Sequence, residues 1–254
     1  MSLDKKLLWD QDMPLVRLKG EGTRVFLQGQ TTSDLLEVDD GCLVHSCWLN
    51  AAGRVKAILE IQFRDNEADV VVLGGGIDDL FVGFEKAIFP ADRVRLEPPR
   101  NIRRLQELAL RTSKRFKNIA YISSHESLPS TFKEFDCATI PQIEYWKMEN
   151  GFPLSLGELG SKYNPFELGL FDLVSLNKGC YLGQEIIAKL LKLGKVRQRL
   201  QFWKSDTNIS VGQKLISGKP KSSLTQLCGV ITSSIRNLEV GGSFGLAMLK
   251  NSAS

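Results

Sequence analysis

Residues 55 to 64 alternate between apolar and polar side chains almost without interruption. A period of two is typical of a strand with one buried face, so this stretch predicts a half-buried antiparallel strand. Shorter apolar runs predict further strands at 14–19, 41–49, 68–73 and 94–96. The acidic residues Asp78 and Asp79 predict the start of a helix that ends before Pro90.

The pattern changes along the rest of the chain. Residues 97–104 (EPPRNIRR) break the strand pattern and predict a connection, and residues 123–130 predict a polar loop. Residues 141–195 have the texture of short helices and Gly/Pro turns, ending in an apolar helix from about Glu185 to Leu193. From residue 196 onward, short strands separated by polar turns predict a small β-barrel or sandwich.

Amino-acid composition limits the classes of protein to which this chain can belong. The chain has 254 residues, 43% hydrophobic and 24% charged, which is enough to bury a large core. No run approaches the roughly 18 apolar residues of a membrane helix, and acidic residues occur near the amino terminus, where a targeting peptide would lack them. We therefore expect a cytoplasmic protein without a membrane partner.

Charge and ligand-forming residues exclude other classes. The net charge of +4 is small and the basic residues are spread out, so we expect no nucleic-acid partner. The basic run from Lys189 to Arg199 is typical of a solvated helix face, although it could also bind a polyanion. Five cysteines without a CxxC pair, and only two histidines, indicate neither a metal site nor a disulfide framework.

The most informative segment is residues 172–190, DLVSLNKGCYLGQEIIAKL. It predicts a strand-like apolar run, a tight turn containing Gly179 and Gly183, and a helix whose first turn holds Gln184 and Glu185. Such a turn presents backbone N–H groups to a ligand.

The string from Lys178 to Glu185 resembles the K-G-C-[FY]-x-G-Q-E signature of the YgfZ family, within the superfamily of the glycine-cleavage T-protein, an aminomethyltransferase. Other stretches are similar to the family as well: Phe26-Leu27-Gln28-Gly29-Gln30-Thr31, Asn50-x-x-Gly53-Arg54, Gly151-x-Pro153, Pro165-x-Glu167 and Gly245-Leu246-Ala247. The resemblance spans almost the whole chain.

This resemblance implies an α+β fold in three parts. These are a ferredoxin-like unit over 1–97, a second α+β unit over 98–195 that carries the signature, and a β-barrel over 196–254. The three parts would surround a central cavity for tetrahydrofolate or a related reduced folate. The family further implies an accessory role in the assembly or repair of iron–sulfur clusters, with cluster-carrying client or assembly proteins as partners.

The resemblance also implies the site residues. Cys180 would be the reactive or transiently ligating thiol. The cofactor-binding residues would be Lys178, Gly179, Tyr181, Gly183, Gln184, Glu185, Lys147, Glu167 and Asn50.

Each role has a structural alternative. Cys180 could be a small buried residue that fills the turn. Gln184 and Glu185 could bond the pterin or cap the helix. Lys178 could pair with the glutamate carboxylates of folate or be solvated. Asn50 favours a hairpin connection first and a ligand contact second, and Glu167 could be an acid without a ligand.

Departures from the superfamily pattern bear on activity. Alignment on Asn50 and Gly53 places Ala57 and Ile58 where the T-protein carries its catalytic acid pair. Without a positioned carboxylate, efficient aminomethyl transfer is not expected. Lys147 and Lys189 stand where the family usually has arginine, so an anion would lose a bidentate partner there. A folate-dependent aminomethyltransferase or methyltransferase and a non-catalytic scaffold remain the alternative functions.

Overall fold

The computed structural model describes residues 6–108, 115–153, 156–194, 196–217, 226–236 and 241–250. Lys195, within the basic run from Lys189 to Arg199, and residues 1–5 lie outside these ranges. The strands are β1 Leu7–Lys19, β2 Leu43–Leu49, β3 Val55–Arg64, β4 Glu67–Gly74, β5 Arg95–Leu96, β6 Arg100–Leu108, β7 Ile119–Ile122, β8 Asp136–Cys137, β9 Gln198–Ser205, β10 Lys214–Ser217, β11 Gln226–Arg236 and β12 Ser243–Lys250. The helices are α1 Thr23–Gln30, α2 Ile77–Ala87, α3 Ile140–Glu149, α4 Leu156–Leu159 and α5 Gln184–Lys192.

The first eight strands form one sheet in the order β2-β3-β4-β1-β6-β7, with β5 and β8 also paired to β1. The long strand β1 joins both halves, because Leu15 to Lys19 pair with β4 and Leu7 to Leu15 pair with β6. The sheet therefore runs without interruption across residue 97. The three-part division stays a prediction.

This sheet is strongly curved. Glu60 on β3 accepts hydrogen bonds from Arg104 on β6 and from Tyr121 on β7. In a flat sheet, β7 would lie roughly 19 Å from β3, since neighbouring strands are about 4.8 Å apart. Both edges must therefore bend toward the face that carries Glu60.

Each face of the sheet covers its own core. The convex face packs against α1 and α2 through a cluster that includes Leu27, Trp48 and Phe84. The concave face packs against α3 and the segment that follows it, with Trp9 and Trp146 among the fully buried side chains. Because helices or loops cover both faces, the central strands are buried on both sides.

The predicted half-buried strand at 55–64 is therefore wrong in its burial, although its bounds are confirmed. Every residue from Ala57 to Ile61 is buried, including Glu60 on the polar side of the alternation. The predicted connection at 97–104 is also wrong, since Arg100 begins β6. Pro98 and Pro99 predicted a break, but Arg100, the next residue, already pairs with β1.

A second sheet of four antiparallel strands, in the order β10-β11-β12-β9, contains the last strands of the described chain. It confirms the short strands predicted from residue 196 onward, whereas the β-barrel or sandwich stays a prediction. Leu246 of β12 is fully buried and packs with Met148 at the end of α3. In the described parts of the chain, no helix is long and apolar enough to cross a membrane.

Candidate functional site

Residues 174–183, which we call the signature loop, contain most of the string that resembles the family signature. The loop begins after a 3-10 turn at Phe171–Leu173 and ends at α5. The apolar run at 172–176 was expected to resemble a strand. That expectation is wrong, because the Leu173 carbonyl accepts hydrogen bonds from the Thr32 and Ser33 hydroxyls and not from the backbone of a neighbouring strand.

Lys178 fastens this loop from inside. Its ammonium donates hydrogen bonds to the backbone carbonyls of Thr31 (2.8 Å) and Ser33 (2.6 Å), and the residue is only 6% exposed. Burial lowers the pKa of Lys178 to about 8, although Asp34 acts in the opposite direction. The solvated alternative for Lys178 is therefore wrong.

Cys180 lies on the outside of the same loop. Both Cys180 and the preceding Gly179 are exposed, whereas Lys178 and Tyr181 on either side are buried. The Lys178 Nζ lies 5.2 Å from the centre of the Tyr181 ring. Burial raises the pKa of the Tyr181 hydroxyl to about 12, with a smaller contribution from Cys47. The alternative that Cys180 is a buried turn filler is wrong, since the anchored loop presents its thiol to solvent.

The start of α5 is fixed by Gly183 and Gln184. Gly183 has φ +83°, and a β carbon there would lie 2.6 Å from the Asn50 carbonyl oxygen. The Gln184 side chain accepts a hydrogen bond from the Tyr181 amide and donates one to the Lys178 carbonyl. Glu185 is exposed in the first turn, where a negative charge is favourable.

Asn50 forms the hairpin between β2 and β3, as predicted. Its side-chain oxygen accepts hydrogen bonds from the amides of Ala52 and Arg54, both at 3.0 Å. Arg54 then extends to Glu167, with 3.0 Å between Nη1 and Oε2. The hairpin thus connects the signature loop to Glu167.

Glu167 joins three parts of the chain. Its carboxylate accepts hydrogen bonds from Arg54, from the Asn164 amide and from the Gln198 side chain on β9. Its backbone carbonyl also accepts the Leu200 amide at 2.8 Å. With its carboxylate engaged on both oxygens and mostly buried, Glu167 links the carboxyl-terminal sheet to the hairpin.

Lys147 belongs to a different cluster, on the concave face of the large sheet. Its Nζ lies 4.2 Å from the centre of the Trp9 ring, and the guanidinium carbon of Arg104 lies 4.7 Å from the same centre. Burial and, to a smaller extent, the charge of Arg104 together lower the pKa of Lys147 to about 8.

Arg104 is paired with Glu60 at the bottom of this cluster. Arg104 donates to both Glu60 oxygens (2.7 and 2.5 Å) and to Gln106, while His45 and Tyr121 also contact the Glu60 carboxylate. Burial alone would raise the pKa of Glu60, but the guanidinium of Arg104 holds it well below its usual range. The salt bridge to Arg104 therefore favours the ionised form of Glu60.

Sequence reasoning named Lys147 but missed Glu60 and Arg104. Glu60 looked like an outward-facing residue of an alternating strand, and Arg104 fell in a predicted connection. One feature of the sequence pointed to the burial of Glu60. Glu60 lies two residues after Ile58, so the two side chains lie on the same face of β3. Because both faces of this strand are covered, the Glu60 carboxylate is buried. Ala57 and Ile58, at the aligned acid positions, are fully buried and apolar.

Two further surface features adjoin the signature loop. A concavity of about 590 Å³ lies beside α1 and the end of α2, and its lining includes Gly29 and Gln30. The Gly29 carbonyl accepts a hydrogen bond from the Leu182 amide, so the concavity borders the loop.

The basic residues Lys189, Lys192, Arg197 and Arg199 lie at or near the surface. Within the described residues, no group of three or more metal-ligating side chains is gathered.

The fold that these elements form is T-protein-like. The structure of glycine cleavage system aminomethyltransferase T from Bartonella henselae superimposes with a TM-score of 0.72 over 97% of this chain and 78% of that one, at 14% sequence identity. This likeness establishes the α+β fold. No protein-family model matches the chain.

One curated relative is similar in sequence over part of the chain. It is a chloroplastic protein of Arabidopsis thaliana that is named as a candidate transferase, and it is 34% identical over 113 residues. The matched stretch is 43% of this chain and 24% of the relative. The chain thus covers about a quarter of the length of this relative.

Proposed function

We propose that this protein binds a reduced folate, such as tetrahydrofolate, and supports the assembly or repair of iron–sulfur clusters in client proteins, in the manner of the YgfZ family. The observation that carries the proposal is the exposed thiol of Cys180 on an anchored loop. Buried Lys178 and Tyr181 hold the loop on both sides of the thiol. A thiol presented in this way can reach a partner protein without unfolding its own loop.

The residues of the concave face are suited to a folate. A pterin is a flat ring with hydrogen-bonding edges, and such ligands favour mostly apolar sites with a few placed polar groups. Trp9, Phe116, Tyr121 and Phe152 belong to the hydrophobic cluster on this face, and among the described residues the buried Arg104 Nη1 has no hydrogen-bond partner. When bound, the folate would supply one-carbon chemistry, while these residues would hold and orient it.

The same face argues against efficient aminomethyl transfer. A positioned carboxyl group assists proton transfer at a folate nitrogen only if it can change its protonation state. Ile58 is apolar, and Glu60 on the same face stays ionised within its salt bridge to Arg104. We therefore place the accessory function ahead of the transferase.

The folate proposal is tested by anaerobic calorimetric titration with tetrahydrofolate. The wild-type protein, Cys180→Ala and Glu185→Ala are compared. We expect Cys180→Ala to keep wild-type affinity and thermal stability, since the thiol has a separate task. Absence of binding to any reduced folate would overturn this part of the proposal.

The cluster-assembly proposal is tested by complementation of cells deficient in a YgfZ-type protein. Cys180→Ala should fail to restore the activity of iron–sulfur enzymes, whereas Cys42→Ala, which changes another exposed thiol, should restore it. Full activity of Cys180→Ala would contradict the assigned role.

The T-protein fold favours the transferase as a second candidate. Incubation with tetrahydrofolate, an aminomethyl donor and a lipoyl carrier should yield methylenetetrahydrofolate only if the transferase is correct. We expect no product above a control without protein.

A further inference from the structure

The Trp9 ring carries two positively charged neighbours, Arg104 and Lys147. The Arg104 guanidinium carbon lies 4.7 Å from the ring centre and the Lys147 Nζ lies 4.2 Å from it. The distance between the two charged groups is therefore at most the sum of these two distances. A ring face attracts cations, but two cations this close repel each other in a buried setting. Trp9 itself is only 2% exposed, so solvent screens the pair weakly.

Arg104 has one hydrogen-bonding nitrogen left over. Its Nε and Nη2 are used by Glu60 and Gln106, whereas Nη1 has no hydrogen-bond partner among the described residues. The residue is 1% exposed, so water does not satisfy this nitrogen from the surface. Buried polar groups are almost always paired, so this unpaired nitrogen on a charged residue is available to an acceptor on a ligand.

Lys147 also lacks a counter-ion. Within the described chain, no carboxylate lies within salt-bridge distance of its Nζ. The charge of Glu144, three residues earlier in α3, acts in the opposite direction to burial and raises the pKa of Lys147. Glu60 is already shared by Arg104, His45 and Tyr121. The cluster therefore has more positive than negative charge.

We propose that Arg104 Nη1 and Lys147 Nζ, beside the Trp9 ring, bind a carboxylate group of a small molecule. A carboxylate offers two oxygens, one for each cation, and hydrogen bonds between charged groups are the strong ones. It would satisfy the unpartnered Nη1 and neutralise the excess charge in one step. The site itself does not depend on folate; only the assignment of a folate as the source of the carboxylate rests on the proposed function.

Two probes separate these sources. p-Aminobenzoylglutamate carries the carboxylates of a folate without the pterin, and formate is a free small carboxylate. 6-Methyltetrahydropterin, which has the pterin without a carboxylate, serves as the negative probe. Each is titrated calorimetrically at constant ionic strength, with tetrahydrofolate as the complete ligand.

The variants are Lys147→Gln and Lys56→Gln. Lys56 is a matched control, because its Nζ lies 3.9 Å from the centre of a different ring, that of Trp48. Lys147→Gln should weaken p-aminobenzoylglutamate binding by about tenfold or more, the effect of losing one charge-assisted hydrogen bond. It should leave 6-methyltetrahydropterin unaffected, and Lys56→Gln should match the wild type with every probe.

The outcomes distinguish this inference from the proposed function. Carboxylate binding that is equal in the wild type and Lys147→Gln, or absent for both carboxylate probes, overturns the inference even if tetrahydrofolate binds. Lys147-dependent binding of formate in a protein that binds no folate supports the site and removes folate as its source. Lys147-dependent binding of p-aminobenzoylglutamate supports the site and its assignment to the folate tail.

Discussion

Gly183 and Asn50 are in backbone contact: a β carbon at position 183 would lie only 2.6 Å from the Asn50 carbonyl oxygen. This contact seats the start of α5 on the hairpin between β2 and β3. Gly53 of the same hairpin is also close to α5, since a β carbon at position 53 would lie 3.1 Å from the β carbon of Ile186. The two glycines are therefore required where the signature loop meets the sheet.

Gly183→Ala should lower the free energy of unfolding by about 2 kcal/mol, because alanine is strained at φ +83° and its methyl group collides with the hairpin. Gly179→Ala is the matched control in the same loop, since a methyl group at position 179 would have no other atom within 4 Å. That variant should stay within about 0.5 kcal/mol of the wild type. Urea unfolding measures both; equal stabilities of the two variants would contradict the contact.

The buried pair of Glu60 and Arg104 gives a second prediction. Glu60→Leu should lower the free energy of unfolding by about 3 to 5 kcal/mol, because it leaves the Arg104 charge buried and unpaired. The double variant Glu60→Leu/Arg104→Met should lose less than the sum of the two single variants. A double-mutant cycle by denaturant unfolding measures this coupling. Additive losses would show that the pair contributes no coupling.

These residues also show where sequence reasoning stops. Local pattern predicted the bounds of β3 and the helix α5, because alternation and capping are properties of neighbouring residues. The burial of Glu60 depends on the curvature that brings β6 and β7 toward β3. That curvature joins residues more than 40 positions apart, and a single sequence does not reveal it.

The same limit holds for the candidate site. The family resemblance identified the loop from Lys178 to Glu185, and the hairpin role of Asn50 followed from its local sequence. The direction of each side chain did not follow. Lys178 points inward and Cys180 outward because the carbonyls of Thr31 and Ser33 face the loop, which is a property of the tertiary fold.

Glu167 gives a third prediction, on the attachment of the carboxyl-terminal sheet. Glu167→Ala removes the acceptor for Gln198 and Arg54 and leaves the buried Asn164 amide unpaired, at a cost of about 1 to 3 kcal/mol. Hydrogen exchange should accelerate in β9 and remain unchanged in β2. Glu167→Gln, which keeps one acceptor oxygen, should show a smaller effect. Unaltered exchange in β9 would contradict a linking role for this side chain.

Lys147 gives a prediction with a defined pH dependence. Burial lowers its folded-state pKa to about 8, below the ordinary lysine value of 10.5. The folded state therefore disfavours the charged amine, and this penalty is fully present below pH 8. It declines as the pH rises from 8 to 10.5, so the contribution of Lys147 to stability improves over that window.

Lys147→Met removes the penalty while keeping a similar length of side chain over Trp9. At pH 7 it should raise the free energy of unfolding by about 2 kcal/mol, since one pKa unit corresponds to about 1.4 kcal/mol and part of the shift is offset by lost contact with the ring. The gain over the wild type should disappear near pH 10.5. Urea unfolding of both proteins at the two pH values measures the difference, and Lys56→Met reports the loss of a different lysine–tryptophan contact, that with Trp48. A pH-independent difference would show that the Lys147 amine is solvated in the folded protein. A stabilised variant that no longer binds carboxylates would instead indicate that the lysine is kept for its ligand, at a cost to stability.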